Sequence, residues 1–211
     1  MTKKAAWRIG FTFLMAISGS IGIGLSISSQ GNGAFLMYTI DSNLLNLIVS
    51  LLSLAAWVVS FWHDHLFSEQ LLSKLSYLAT CCLTLTFLIV VLVLGPMMGG
   101  LKGYQAMLLT GPMIFNHLLT PLLAISSFIL FNDHFVLSLK AAGEVMLPTI
   151  LYGLVTITLN ILGVIRGPYP FLMVKQQSVW TTFLWLVLIL AINFGVAELL
   201  GRANRYIQRR N

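Results

Sequence analysis

Six stretches of this chain stay apolar for about 20 residues, the length that an α-helix needs to cross the hydrocarbon core of a bilayer. We predict that membrane-spanning helices occupy residues 6–27, 37–62, 72–94, 113–131, 144–165 and 179–200. Gly95 and Pro96 would end the third helix and Gly201 the sixth, while Pro148 suits the first turn of the fifth. The predicted fold class is all-α: a polytopic transmembrane helical bundle of about six spans.

The low content of charged residues leads to the same conclusion. Charged residues make up 9% of the 211 positions and hydrophobic residues 58%, whereas soluble domains carry roughly 25% charged residues. A chain with so few charges cannot cover an ordinary water-facing surface. Because six helices with short loops use nearly the whole length, we predict one integral membrane domain over residues 1–211.

The distribution of Lys and Arg predicts the orientation of this bundle. If the N-terminus is inside, the inner segments hold nine basic residues and the outer segments hold three. The inner residues are Lys3, Lys4, Arg8, Lys74, Lys140, Arg202, Arg205, Arg209 and Arg210, and the outer residues are Lys102, Arg166 and Lys175. Since basic residues are enriched on the cytoplasmic side, both termini are predicted to be cytoplasmic. The net charge of +6 is then a topology signal, and we expect no nucleic-acid partner.

The cysteine and histidine patterns do not resemble a standard metal site. Cys81 and Cys82 are adjacent, so on a helix they point about 100° apart and do not form an ordinary disulfide. We expect two small buried or lipid-facing thiols. His63 and His65 follow the second predicted helix; a metal site there is the weaker alternative to solvated loop side chains. We therefore expect no metal and no cofactor.

Polar residues inside the spans are the best guide to function, because such groups are costly at membrane depth unless they are paired or hydrated. The second predicted helix carries five at alternating spacings of four and three, so they share one face: Thr39, Asn43, Asn46, Ser50 and Ser53. This face should line the bundle interior, either as interhelical hydrogen-bond glue or as the wall of a substrate cavity. Asp41 could reach the headgroups, orient a base or bind a cation.

The fourth and fifth predicted helices carry further polar residues. The fourth contains Asn116 and His117, and histidine can act as a general base near neutral pH. Pro121 removes the backbone hydrogen bond to the carbonyl of His117 and permits a kink. The fifth carries one polar face, formed by Thr149, Tyr152, Thr156 and Asn160. A stiff turn around Tyr169 follows it, with Arg166 as a candidate anion ligand or a simple helix anchor.

The predicted topology places several of these residues at similar depth. Thr39 and His117 each lie about one turn inside the outer boundary of their helices, and Arg166 follows the outer end of the fifth helix. Glu144 and Glu198 fall at the opposite, inner ends. The reactive polar residues are thus expected to gather towards the outer side.

Three segments carry a resemblance to a known family. They are Tyr38-Thr-Ile-Asp-Ser-Asn43-Leu-Leu, Asn116-His-Leu-Leu-Thr-Pro121, and Tyr152-Gly followed by Gly167-Pro-Tyr-Pro-Phe-Leu172. Their order and spacing resemble the bacterial branch of the androgen-induced-gene family of six-helix membrane proteins. The resemblance covers most of the chain and implies a multi-pass protein of the bacterial plasma membrane.

The resemblance also implies a chemistry. Animal members of that family are threonine hydrolases that cleave fatty-acid esters of hydroxy fatty acids with an intramembrane Thr and His. Carried over to this chain, the nucleophile would be Thr39 and the base His117. Candidate donors to the transition state are Asn43, Asn116 and Arg166. The residues expected to bind or orient the substrate are Asp41, Asn43, Asn116, Tyr152, Arg166 and Tyr169. The expected partners are membrane lipids and a lipid-like or small-molecule substrate.

Two other functions remain open from the residues themselves. Six spans in a chain of this length also suit the substrate-binding membrane subunit of a small-molecule importer. The stretch Gly19-Ser-Ile-Gly22-Ile-Gly24 would offer such a subunit a small-residue face for a partner helix. In a non-enzymatic membrane scaffold, by contrast, the polar faces would serve only for packing.

Overall fold

The computed structural model describes residues 2–61, 68–136 and 138–210. Within these residues the secondary structure is helical, with no strand. We number the principal α-helices α1 Lys3–Gln30, α2 Tyr38–Val59, α3 Glu69–Ile89, α4 Leu101–Leu108, α5 Thr120–Phe131, α6 Leu139–Glu144, α7 Met146–Ile161 and α8 Val179–Gln208.

Six helical segments are long and apolar enough to cross a membrane. They are Lys3–Leu36, Tyr38–Val59, Glu69–Met97, Ile114–Phe131, Leu139–Ile161 and Val179–Gln208. The prediction of an all-α transmembrane bundle with six spans is therefore confirmed. The sixth span is longer than predicted, because α8 continues through the buried Gly201 to Gln208. Its last turns pack onto α5, where the Asn204 amide donates to the Phe128 carbonyl at 2.8 Å.

Polar contacts join the two ends of the chain. Lys4 forms an ion pair with Asp133 at 2.6 Å and donates to Gln208 at 3.0 Å. The first helix, the segment after α5 and the last helix therefore meet at one end of the bundle, as an even number of spans requires. Glu69 pairs with His134 at the same end. That this end faces the cytoplasm stays a prediction.

The polar face of α2 points into the bundle, as its spacing predicts. Thr39, Asn43, Asn46 and Ser50 are all buried, and Ser53 is partly buried. Elsewhere in the bundle, hydroxyl pairs connect helices that are distant in sequence; Ser18 and Thr120, for example, lie 2.7 Å apart. The adjacent cysteines are free and buried, in agreement with the sequence-based expectation.

Two π-helical turns interrupt the spans on the side of the bundle away from the termini. One continues α3 through Val90–Leu94, and the other, Ile114–Leu119, leads into α5. In the second turn the N–H of Thr120 donates to the carbonyl of Phe115, five residues earlier. Pro121 has no N–H to give the carbonyl of His117, so the α-helical pattern cannot form there. Such turns add a residue and redirect side chains, and they are frequent at functional sites.

One glycine of the small-residue stretch of α1 makes a close packing contact within this chain. A Cβ at Gly22 would overlap Asn116 Oδ1 and lie 2.9 Å from Phe115 Cβ. The absence of a side chain also lets the Asn116 amide donate to the Gly22 carbonyl at 3.2 Å. Gly22 therefore allows the π turn Ile114–Leu119 to pack closely against α1. It is buried in this contact and is not available to a partner helix of another protein.

We predict that Gly22→Ala destabilises the protein, because the added methyl group must displace the Asn116 side chain. Overpacking of this kind costs about 1–3 kcal/mol. Gly24→Ala is the matched control, since a Cβ there meets no atom within 4 Å and Ala favours a helix over Gly. Thermal unfolding of the purified variants in detergent measures the difference. A Gly22 variant as stable as the Gly24 variant would contradict this packing role.

Candidate functional site

Thr39 lies in the first turn of α2, and its hydroxyl is the centre of the candidate site. The helix begins after Met37, so the N–H of Thr39 has no partner within the helix. That N–H lies 3.4 Å from the hydroxyl of Tyr169. The Thr39 side chain is buried, and its Oγ1 lies 3.1 Å from Nε2 of His117. The Thr39 and His117 pair suggested by the family resemblance is thus in direct contact.

The other ring nitrogen of His117 determines which atom of the pair donates. Nδ1 lies 2.8 Å from the carbonyl oxygen of Met107, which can only accept a hydrogen bond. Neutral His117 therefore carries its proton on Nδ1 and leaves Nε2 as the acceptor. The Thr39 hydroxyl donates to Nε2, which is the arrangement of a nucleophile and its general base.

Met107 belongs to α4, a short helix that the sequence analysis did not identify. It begins at Leu101, after two glycines with positive φ, Gly99 at 93° and Gly100 at 64°, which turn the chain back after the third span. The turn is tight: the hydroxyl of Tyr104 donates to the carbonyl of Val91 at 2.9 Å. A backbone carbonyl has no residue-type signature, so only the prediction of a helical hairpin between the third and fourth spans could have revealed this partner.

Tyr169 covers the site from the loop between α7 and α8. Its hydroxyl lies 3.4 Å from Thr39 Oγ1 as well as from the Thr39 N–H. Its ring stacks on Phe171 with 5.1 Å between centroids, and Phe171 packs against Trp185 of α8. Burial raises the pKa of the Tyr169 phenol above its ordinary value, an effect that the hydrogen bonds with Thr39 partly offset. The phenol therefore keeps its proton at neutral pH and can donate it.

Asn43 and Asn116 support the site from beneath and do not point their amide protons at it. Asn43 Nδ2 donates to the carbonyls of Thr39 and Asn116, at 2.8 and 3.2 Å. Asn116 Nδ2 donates to Ser26 Oγ at 2.9 Å as well as to the Gly22 carbonyl. Both amide N–H groups are thus used in hydrogen bonds within the bundle. Of the candidate donors, Tyr169 is the one whose side chain lies beside the Thr39 hydroxyl.

The remaining candidates lie around the site without touching the Thr39 hydroxyl. Tyr152 donates to the carbonyl of Leu36 at 2.7 Å. Asp41 is partly buried and lines a cavity of about 350 Å³ on the far side of Tyr152. It does not orient His117, because Nδ1 of that ring is bonded to a backbone carbonyl. Arg166 is exposed, and no described residue hydrogen-bonds or ion-pairs with it.

An apolar cavity of about 190 Å³ opens directly beside Thr39. Side chains of α3, α7, α8 and the Tyr169 loop surround it, including Leu85, Ile89, Ile157, Leu172, Leu186 and Ile189. Thr39 and Tyr169 are among the few polar side chains in its wall. The shape and polarity suit a hydrocarbon chain that carries one polar group at the end near Thr39.

No three His, Cys, Asp or Glu side chains gather to hold a metal ion within the described residues. His63 and His65, named above as a weaker metal alternative, lie outside the described part of the chain.

We predict that nitrogen NMR of ring-labelled histidine will show Nδ1 of neutral His117 protonated and Nε2 unprotonated. The reason is that the Met107 carbonyl must receive a proton from Nδ1. In Thr39→Val the signal of Nε2 should move, because its donor is lost, while Nδ1 stays protonated. A proton on Nε2 in the native protein would contradict this assignment.

In comparisons with known proteins, no family model, no curated protein and no solved structure matches the chain.

Proposed function

We propose that this protein is an intramembrane lipid-ester hydrolase, with Thr39 as its nucleophile and His117 as its general base. The observation that carries the proposal is the 3.1 Å contact between Thr39 Oγ1 and His117 Nε2, together with the Met107 carbonyl that fixes the tautomer. The base is held by a third group, which is the arrangement expected of an activated hydroxyl nucleophile. The family resemblance in the sequence independently suggests the same two residues.

The proposed reaction begins when Thr39 Oγ1 attacks the carbonyl carbon of a bound ester. His117 Nε2 accepts the hydroxyl proton as the new carbon–oxygen bond forms, and it then gives that proton to the departing alcohol. The acyl group remains on Thr39. Water releases it in a second step with His117 again as base, and a carboxylic acid leaves.

Two features near Thr39 could stabilise the negative charge that develops on the ester oxygen. The first is the protonated phenol of Tyr169, 3.4 Å from Thr39 Oγ1. The second is the Thr39 N–H at the N-terminus of α2, which has no partner within the helix, carries partial positive charge and makes only a 3.4 Å contact with the Tyr169 hydroxyl. Donors aimed at the developing oxyanion are commonly the largest single contribution to catalysis in acyl transfer.

The substrate class follows from the surroundings of the site. The apolar cavity beside Thr39 offers hydrocarbon contacts and little for a polar substrate to bind. Thr39 also belongs to a helix, Tyr38–Val59, that is long and apolar enough to span a membrane. We therefore propose a substrate that reaches the site from the lipid phase. From the family resemblance we further propose that this lipid phase is a bacterial plasma membrane.

The competing function is binding or transport of a small apolar molecule, and the same cavity is the observation that favours it. The two functions differ in the use of Thr39. A carrier needs only the shape and polarity of the Thr39 side chain, whereas a hydrolase needs the Thr39 hydroxyl as a nucleophile.

We predict that a fluorophosphonate probe labels the purified protein and that Thr39→Ala reduces labelling to background, because the nucleophilic oxygen is gone. Thr39→Ser should remain labelled. Ser42→Ala is the matched control, since Ser42 is a buried hydroxyl one turn away that donates to the Tyr38 carbonyl and not to His117. Labelling of Thr39→Ala at the native level would rule out the hydrolase.

We predict that Tyr169→Phe slows probe labelling by about 10²-fold, the usual effect of removing one donor to an oxyanion. The ring and its stacking on Phe171 are kept, so the protein should fold normally. Tyr206→Phe, on an exposed tyrosine of α8, serves as the control. An unchanged labelling rate in Tyr169→Phe would assign the oxyanion to the α2 terminus alone.

A further inference from the structure

A second cavity, which we call the inner chamber, lies at the end of the bundle where the termini meet. It has a volume of about 210 Å³ and is lined by many polar side chains, among them Asn46, Ser50, Ser53, Ser73, Ser76 and Ser127. Arg8 and the paired Glu69 and His134 also border it. The chamber is thus polar where the cavity beside Thr39 is apolar.

Two side chains in the wall of the chamber are buried without a hydrogen-bond partner among the described residues. They are Asn46, whose Nδ2 is unpaired, and Ser50, whose Oγ is unpaired. They are 3% and 2% exposed. Unpaired polar atoms at the wall of a roomy polar cavity are the usual sites of bound water. The chamber therefore has the size and the chemistry of a hydrated space.

Polar side chains on one face of α2 lie between the chamber and the candidate site. Asn46 lies two turns from Thr39, about 10 Å along the helix axis. Asn43 stands between them: its amide donates to the Thr39 carbonyl, and its Oδ1 has no partner among the described residues. A line of polar groups thus leads from the inner chamber to the nucleophile.

We propose that the inner chamber supplies the water that hydrolyses the acyl group on Thr39, through Asn46 and Asn43. This inference rests on the proposed hydrolase function. While the apolar cavity holds the acyl chain, water needs a separate approach, and α2 provides it from the opposite side. The water oxygen bonds to the acyl carbon and its proton passes to His117 Nε2. The bond from that carbon to Thr39 Oγ1 then breaks, and Thr39 receives the proton.

The first arm of the test measures hydration of the chamber and does not depend on catalysis. In a Cys81→Ala, Cys82→Ala background, the variants Ser53→Cys and Ser50→Cys are exposed to a membrane-impermeant thiosulfonate in sealed vesicles of both orientations. We expect modification of both from the side of the termini only. Thr84→Cys, at a buried threonine bonded to the Thr80 carbonyl and outside the chamber, should resist the reagent. Resistance of both serine positions would overturn the proposal.

The second arm separates formation of the acyl-enzyme from its hydrolysis. With a chromogenic long-chain acyl ester, Asn46→Leu should keep the initial burst of released alcohol and slow the steady-state rate by at least 10-fold. Ser50→Val provides a second variant should Asn46→Leu fail to fold, and Thr84→Val is the control. A native steady-state rate in a folded Asn46→Leu or Ser50→Val would overturn the water route and leave the hydrolase intact. Failure of the native protein to release alcohol faster than Thr39→Ala would instead reject the hydrolase.

Discussion

The need to pair polar groups away from water governs this bundle. Lipid offers no hydrogen bonds, so each polar side chain in a span must find its partner within the protein or in a hydrated cavity. That requirement turns the polar face of α2 inwards, where α2 packs against α1, α3 and the π turn Ile114–Leu119. The contacts between Ser18 and Thr120, and between Tyr38 and Thr149 at 2.8 Å, are its direct products. The same burial that pairs these groups also places the Thr39 hydroxyl beside the imidazole of His117.

Buried polar side chains in a span can therefore serve either helix packing or chemistry. The hydrogen bonds of each side chain indicate which of the two it serves. Asn116 is committed to α1 through its amide and serves structure. His117, its neighbour, projects to the other side of the π turn and meets Thr39. Consecutive residues of a helix point about 100° apart, so the two can face different partners, and here they do so within a π turn. Pro121 is the local cause, because it deletes the backbone donor that would have kept the helix regular.

The sequence was sufficient for the fold and for part of the site. Spans follow from apolar length, and the inward face of α2 follows from its spacing, so both could be predicted. The family resemblance supplied Thr39 and His117, and similar depth in the membrane made their contact plausible. The partner of Nδ1 could not be predicted, because a main-chain carbonyl on a short helix leaves no mark in the sequence. Arg166, predicted as an anion ligand or a helix anchor, is exposed beyond the end of α7, and its role stays a prediction.

The position of α4 has a consequence for how the protein responds to its membrane. This helix does not cross the bilayer: it packs against the spans through residues such as Met107, while Leu101 and Leu109 are left exposed. A span accommodates a mismatch between its apolar length and the bilayer thickness by tilting or kinking. The carbonyl that orients His117 lies on the short helix that joins the third and fourth spans, so a change in their tilt would move it relative to Thr39 on α2. Lipid composition would then alter the geometry of the Thr39 and His117 pair, separately from any supply of substrate.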